Sequence, residues 1–217
     1  MHPRLHRRRP AVGVPFAVVG LLAAAGLTAC GGGDTPNPGP TTPLPAVTAV
    51  DPALNGLVGP GCAAYVHEHR SGRASIAGMA ADPLAAMVNK NPLLTELSRA
   101  ISGNLNKKVR LGDTLDGGEF TVFAPVDPAF AKLSSARRAV LKAESRELVK
   151  VLTYHVVTGR LDPGQVVGVQ KSVEGGNLKV TNAKGRMKVD GAHVICGGIR
   201  TANATVYLID KVLTPSE

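Results

Sequence analysis

The sequence contains no tryptophan, and aromatic residues make up only 3% of its 217 positions. Any core must therefore be mostly aliphatic. Hydrophobic residues still make up 44% of the chain, which is enough to fill such a core. The length fits one domain with additional segments, or at most two small domains. The absence of an internal repeat favours a single domain.

Motifs for catalysis are also missing. The chain has no G-x-S-x-G elbow for a nucleophilic serine, no phosphate-binding loop and no dinucleotide fingerprint. His67 and His69 lie two positions apart, which on a helix separates their directions by roughly 200° and does not favour a shared metal ion. These observations predict a protein that is not an enzyme and has no cofactor and no metal site.

Acidic residues are absent from positions 1–29, although the formal charge of the whole chain is +9. Four arginines near the start account for four of these charges, and the remaining basic residues are mixed with acids. No basic run is interleaved with aromatic residues, so we predict no nucleic-acid partner. Lys107, Lys108 and Arg110 form a small basic cluster after a predicted helix. We interpret it as solvated loop charge, with contact to an acidic envelope polymer or headgroup as the alternative.

The basic start is followed by an uncharged apolar stretch at residues 11–29, an order typical of a secretory signal. A transmembrane helix is the alternative, but small residues dominate the stretch, and it runs into "LTAC". That tetrapeptide resembles the bacterial lipobox, in which a small residue precedes a cysteine that is acylated after cleavage. We therefore predict a lipoprotein signal peptide at 1–29 and lipidation of Cys30. A plain signal peptide or an uncleaved anchor are the other possibilities.

Residues 30–60 contain seven of the sixteen prolines and no sustained apolar period. Such a stretch cannot bury enough surface to offset the entropy of ordering it, so we predict a semi-extended tether. Together with Cys30 it would attach the domain, through lipid, to the outer face of a bacterial cell membrane. The sequence assigns no function to the tether beyond this spacing.

Residues 61–217 have the composition of a globular domain that begins with helices. Asp82-Pro83 and Asn91-Pro92 each place a capping residue before a proline, which predicts two helix starts. A strand is predicted from Phe120, because apolar residues alternate there, and Asp127 is predicted to cap a short helix that follows it.

Residues 134–157 are predicted to be helical, with a break near Ser145. The last sixty residues have strand patterns, including a hairpin with its turn at Gly185. This order of elements, helices first and strands last, is that of an α+β domain.

Three blocks, "TVFAPVDPAF", "LTYHVV" and "ANATVYLIDKVLTP", resemble the fasciclin-like domain in order and spacing. The flanking "GPGCAAY" and "VICGGIRTANATVY" are similar to the actinobacterial subgroup of secreted and lipid-anchored fasciclin antigens. The resemblance covers residues 61–217. It implies a single α+β fasciclin-like domain, a wedge or sandwich of β-strands with helices packed along one side.

The resemblance also implies a function in cell adhesion, and it implicates the Tyr154-His155 pair in that function. From the residues alone, His155 on an apolar segment is more typical of a buried structural histidine. Many members of the family have Asn-Gly in the last block, where this chain has Asn203-Ala204. That departure predicts a different turn and does not favour a ligand contact there.

Cys62 and Cys196 remain once Cys30 is assigned to lipid. In an exported protein, an even number of remaining cysteines favours one disulfide over two free thiols. The bridge would close a loop of about 135 residues, for which the chain-entropy model gives on the order of 5 kcal/mol.

The sequence as a whole favours a monomeric, non-catalytic binding or adhesion module that touches a host or envelope macromolecule. A carrier of a small apolar or lipid ligand is the alternative, and it predicts a sizeable apolar pocket between helices and sheet.

Overall fold

A computed structural model describes residues 55–215 of the chain. The predicted signal peptide, Cys30 and most of the predicted tether lie outside these residues. The helices of the described part are α1 Cys62–Glu68, α2 Ile76–Ala80, α3 Leu84–Lys90, α4 Thr95–Ile101, α5 Gly112–Asp116, α6 Asp127–Ala131, α7 Ser135–Ala143 and α8 Ser145–Tyr154. Within residues 55–215, no helix combines the length and apolar character needed to cross a bilayer.

The strands form one mixed sheet of seven members in the order β2-β1-β7-β6-β5-β4-β3. They are β1 Phe120–Pro125, β2 Val156–Thr158, β3 Gly168–Lys171, β4 Asn177–Ala183, β5 Arg186–Val189, β6 Ala192–Arg200 and β7 Ala204–Ile209. Only β1 and β7 pair in parallel within this sheet. A bridge between Val157 and Ser172 joins its two ends, so the sheet curls into a nearly closed wedge.

The centre of the sheet is buried on both faces. Every residue of β7 is buried, as are residues 121–125 of β1. Side chains such as Val206 and Leu208 face a core shared with the helices, whereas Phe123 and Tyr207 face a second core inside the curl of the sheet. Alternate side chains point to opposite faces of a strand, so a strand between two cores must be apolar on both. The α+β wedge with helices along one side is thus confirmed.

Two local features of the sequence prediction are confirmed, but the helix caps are not. The break at Ser145 separates α7 from α8, and the β4–β5 turn contains Gly185 in a left-handed conformation with a φ of 77°. The predicted starts at Pro83 and Pro92 are wrong, because α3 begins at Leu84 and α4 at Thr95.

The caps come from distant side chains instead. Asp127 does not cap its own helix. Its Oδ1 accepts from the Glu96 N–H at 2.8 Å, at the start of α4. Asp116 Oδ1 accepts from Ala85 N–H at 2.7 Å, at the start of α3. Carboxylates near helix N-termini also interact favourably with the helix dipole. Each cap therefore joins two elements that are far apart in sequence.

The domain begins before Gly61. Val58 exchanges two backbone hydrogen bonds with Gly197 on β6, of 2.9 and 2.7 Å, and the Gly61 N–H donates to Ile195 O at 2.9 Å. The end of the predicted tether is thus part of the fold, because it pairs with the edge of a bulged segment of β6.

Candidate functional site

The two cysteines of the domain are joined. The Cys62–Cys196 disulfide links the start of α1 to β6 across 134 residues, and both residues are buried, Cys196 completely. The predicted bridge is thus present. It fastens the first helix to the same part of β6 that pairs with Val58 and Gly61. The N-terminal end of the domain is therefore tied to β6, a late strand, at one place in the fold.

Tyr154, the last residue of α8, has its ring in the second core and is 4% exposed. Its hydroxyl group lies 2.8 Å from Asp190 Oδ2 and 3.0 Å from Asn177 O. Burial raises the pKa of this phenol to about 12, and the hydrogen bond to Asp190 and its negative charge act in the same direction. Tyr154 is therefore a neutral donor that ties α8 to the β4–β5 hairpin.

Asp190 completes this link. It adopts a left-handed conformation with a φ of 43°, in the turn between β5 and β6. Its Oδ1 accepts from Lys179 N–H at 2.8 Å while its Oδ2 accepts from Tyr154. One carboxylate thus connects a helix end, a strand and a turn.

His155 follows Tyr154 as the C-terminal cap of α8 and is 3% exposed. Its Nε2 accepts from the Leu213 N–H at 2.9 Å, and its Nδ1 lies 2.7 Å from Val151 O. Because the carbonyl can only accept, the single ring proton must reside on Nδ1. Burial lowers the pKa of His155 to about 4, against a smaller opposite effect of the Val151 carbonyl. The imidazole is a neutral link between α8 and the C-terminal segment.

Asn203 has a structural role that the sequence analysis did not predict. Its Oδ1 accepts from Leu84 N–H at 2.8 Å, which provides a cap for α3. Its Nδ2 donates to Leu115 O at 2.8 Å and to Gly118 O at 2.7 Å. The amide therefore joins the β6–β7 connection to the helical layer through three bonds. The sequence marked Asn203 only through its position in "ANATVYLIDKVLTP", one of the three blocks that resemble the fasciclin-like domain.

The sequence matches the fasciclin domain family over residues 94–215, more than half of the chain. The chain belongs to the fasciclin domain family. It is 41% identical over 212 residues to the cell surface glycolipoprotein MPB83 of Mycobacterium bovis, covering 95% of this chain and 96% of that protein. It is 48% identical over 171 residues to the immunogenic protein MPB70 of the same species, covering 78% of this chain and 89% of that protein. Neither relative is named as an enzyme.

The fold of this fasciclin domain also has a solved counterpart. The FAS1 domain pair of the insect cell adhesion molecule fasciclin I matches with a TM-score of 0.54 at 15% identity, covering 63% of this chain and 52% of that one. At this identity the match supports the fold alone.

An apolar cavity of about 60 Å³ lies between the helices and the sheet of the fasciclin domain. Its lining includes Leu97 and Ile101 of α4, Phe120 and Val122 of β1, and the buried His155. Both nitrogens of this histidine are already engaged elsewhere. The cavity therefore offers apolar contact and little polar recognition.

The other histidines among residues 55–215 are exposed or half-buried. His67 is exposed near the end of α1, and His69, which follows this helix, is half-buried and packs against the Tyr65 ring at 4.7 Å between centroids. His193 is exposed on β6. Among residues 55–215, no three His, Cys, Asp or Glu side chains are grouped so that they could hold a metal ion.

The burial of His155 predicts that the domain loses stability in mild acid. The folded-state pKa of about 4 lies below the ordinary value of 6.5, so the unfolded chain takes up this proton first as the pH falls. The contribution of neutral His155 is complete above about pH 7 and is lost between about pH 6.5 and pH 4. Lowering the pH from 7.5 to 5 should reduce the free energy of unfolding by on the order of 2 kcal/mol.

Urea denaturation at both pH values measures this effect, with His155→Gln as the comparison. The variant loses stability at pH 7.5 but should show little of the pH dependence. His193→Gln, which removes an exposed histidine, is the matched control and should behave as wild type. An equal pH dependence in wild type and His155→Gln would contradict the assignment.

Proposed function

We propose that this chain is a lipid-anchored protein of the bacterial cell surface whose fasciclin domain binds a host or envelope macromolecule without catalysing a reaction. The observation that carries the proposal is the match to a cell surface glycolipoprotein over 95% of the chain. A match of that extent includes sequence outside the fasciclin domain, where the lipobox-like "LTAC" lies. Lipidation of Cys30 and export through residues 1–29 are part of the same proposal.

A non-catalytic role is supported by how the reactive side chains of the domain are used. Cys62 and Cys196 form the disulfide, which leaves neither as a nucleophile. His155 is neutral and bonded through both ring nitrogens, so it is not available as a general base. Tyr154 holds its proton in a bond within the domain. These groups stabilise the fold, and we infer that the domain acts through its surface.

The alternative, a carrier of a small apolar or lipid ligand, is less well supported. Ligand sites typically enclose about 300–1,000 Å³, whereas the apolar cavity between helices and sheet has about 60 Å³. Filling it with an acyl chain would require the helices to move away from β1. A binding surface fits the structure better than an internal pocket.

Tyr154 and His155 enter this proposal as supports of a surface. Both rings are buried, so a partner cannot touch them directly in this conformation. The Tyr154 ring packs below Gly176, and the Glu174 N–H donates to Thr153 O at 3.3 Å. Tyr154 and the adjoining Thr153 therefore hold the turn at residues 172–176, whereas His155 holds the C-terminal segment through Leu213 N–H. We propose that the effect of the pair on adhesion is transmitted through these two segments.

Adhesion of cells that display the full-length protein tests the proposal. Cells with the wild-type chain should attach to host cells, to extracellular matrix or to isolated envelope material better than cells without it. Cys30→Ala should release the protein from the cell surface and remove this attachment, because the anchor is lost. The released protein, added in excess, should compete with attachment of wild-type cells. Equal attachment with and without the displayed protein on all three surfaces would disprove the binding function.

A further inference from the structure

A surface depression of about 530 Å³ lies beside α8 in the fasciclin domain. Three cations border it, Lys108 from the loop after α4 and Arg146 and Lys150 from α8. The side chains of Val149 and Val173 form an apolar part of its lining. Cations from two separate elements thus border one shallow surface.

Asn106 positions the loop that carries Lys108. Its Nδ2 donates to Lys142 O at 2.9 Å, at the end of α7, and its Oδ1 accepts from Lys108 N–H at 3.0 Å. The loop is thereby held next to the start of α8. Arg146 and Lys150 are four positions apart on this helix and so share one of its faces. Of the predicted basic cluster at Lys107, Lys108 and Arg110, only Lys108 lines the depression, and there it is joined by cations that are distant in sequence.

The positive charge of the depression is not neutralised within the domain. Among residues 55–215, none of its three cations has a carboxylate oxygen within 4.0 Å. The acid in its lining, Glu174, accepts from Gly176 N–H at 3.0 Å. Glu147 on α8 is paired with Arg137 at 3.2 Å, and the exposed Glu144 precedes the helix. Three cations against one lining acid leave an excess of positive charge.

We propose that this depression binds a linear acidic polysaccharide, an inference that rests on the proposed binding function and names its partner class. The cations match sulfate or carboxylate groups spaced along a chain, and the two valines match the apolar face of a sugar ring. A lipid bilayer fits less well, because Val173 is the one exposed apolar side chain among the lining residues, which leaves little to insert into a membrane. A nucleic acid fits less well, because no aromatic ring lines the depression for base stacking.

Binding of a size-defined heparin fragment to the full-length protein, purified in a nonionic detergent, tests this inference. The triple variant Lys108→Gln, Arg146→Gln, Lys150→Gln should bind about 10–100-fold more weakly at low salt. The slope of log affinity against log salt concentration should fall by about 3, because about one counterion is released for each cation that contacts the polymer. Neutral dextran should not bind either protein.

The matched control removes the same number of cations of the same types elsewhere. Lys184, Arg186 and Lys188 are exposed on the β4–β5 hairpin, and their triple Gln variant should keep near wild-type heparin affinity. An equal loss in both triple variants would mean that overall charge, and not the depression, determines binding. That result would overturn the inference, as would a wild-type protein that does not bind heparin.

Two further competitors decide between partner classes. Detergent micelles that contain phosphatidylglycerol, or a single-stranded oligonucleotide, should displace heparin only weakly. Stronger displacement by either would replace the polysaccharide with a membrane surface or a nucleic acid as the partner.

The adhesion experiment separates the proposed binding function from the assignment of this surface. If cells that display the depression variant attach as well as wild type, the binding function stands and the assignment of this surface fails. If wild-type cells do not attach, the binding function itself fails.

Discussion

Replacing both Cys62 and Cys196 with alanine should lower the free energy of unfolding of the domain by about 3–5 kcal/mol. The bridge spans 134 residues, so its loss releases almost the whole domain sequence from a constraint in the unfolded state. In the folded state it also fastens α1 to β6, where Val58 and Gly61 are paired. The loss of stability should appear in equilibrium urea denaturation of the double variant.

The wild-type protein treated with a reductant provides the comparison, since it loses the same bridge and keeps both sulfur atoms. Its stability should fall close to that of the double variant. Cys30→Ala is the matched control, and the stability of the domain should be unchanged in it. If the double alanine variant were as stable as the oxidised wild type, the bridge would have no role in holding the domain.

Asn203→Ala should lower the free energy of unfolding by about 2–3 kcal/mol. The change removes three hydrogen bonds at once and leaves Leu84 N–H, Leu115 O and Gly118 O without this partner. The side chain is partly buried, so water can replace the lost bonds only in part. The bonds also join the sheet to α3 and α5, and the helical layer should become less protected from amide hydrogen exchange.

Two further substitutions make this test specific. Asn203→Asp keeps the acceptor for Leu84 N–H but places a carboxylate oxygen beside two carbonyl oxygens, so we expect it to be no less destabilising than alanine at neutral pH. Asn182→Ala removes an exposed asparagine of β4 and should change stability little. A stable Asn203→Ala protein with unchanged hydrogen exchange in α3 would show that the three bonds contribute nothing.

Patterns within short segments predicted much of this fold. The strand at Phe120, the break at Ser145 and the hairpin at Gly185 depend on nearest neighbours along the chain, and the structure confirms all three. The disulfide could also be predicted, because only two cysteines remain after position 30. The first three features are local, and the disulfide follows from the number of cysteines. Their prediction therefore needs no knowledge of tertiary contacts.

The candidate sites were harder to predict. A Tyr-His pair on an apolar segment is compatible with both a contact and a core position. The partners that decide between these, Asp190 and Leu213, come 36 and 58 positions later in the chain. The depression was hard to predict for the same reason. In the sequence Lys108 is an ordinary loop cation, and only in the fold does Asn106 hold its loop beside α8. The spacing of residues along the sequence does not show which of them come into contact in the folded domain.

The sequence by itself determined the family, the order of helices and strands and the composition of an aliphatic core, because these follow from local periodicity and from short motifs. The tertiary structure decided which side chains cap which helices. Asp127 caps α4 and Asn203 caps α3, although Asp82 and Asn91 stood closer in sequence. It also decided that His155 is neutral and buried and that three distant cations border one depression. A hydrogen bond or a charge acts over a few ångströms of space, and only folding brings residues so far apart in sequence within that range.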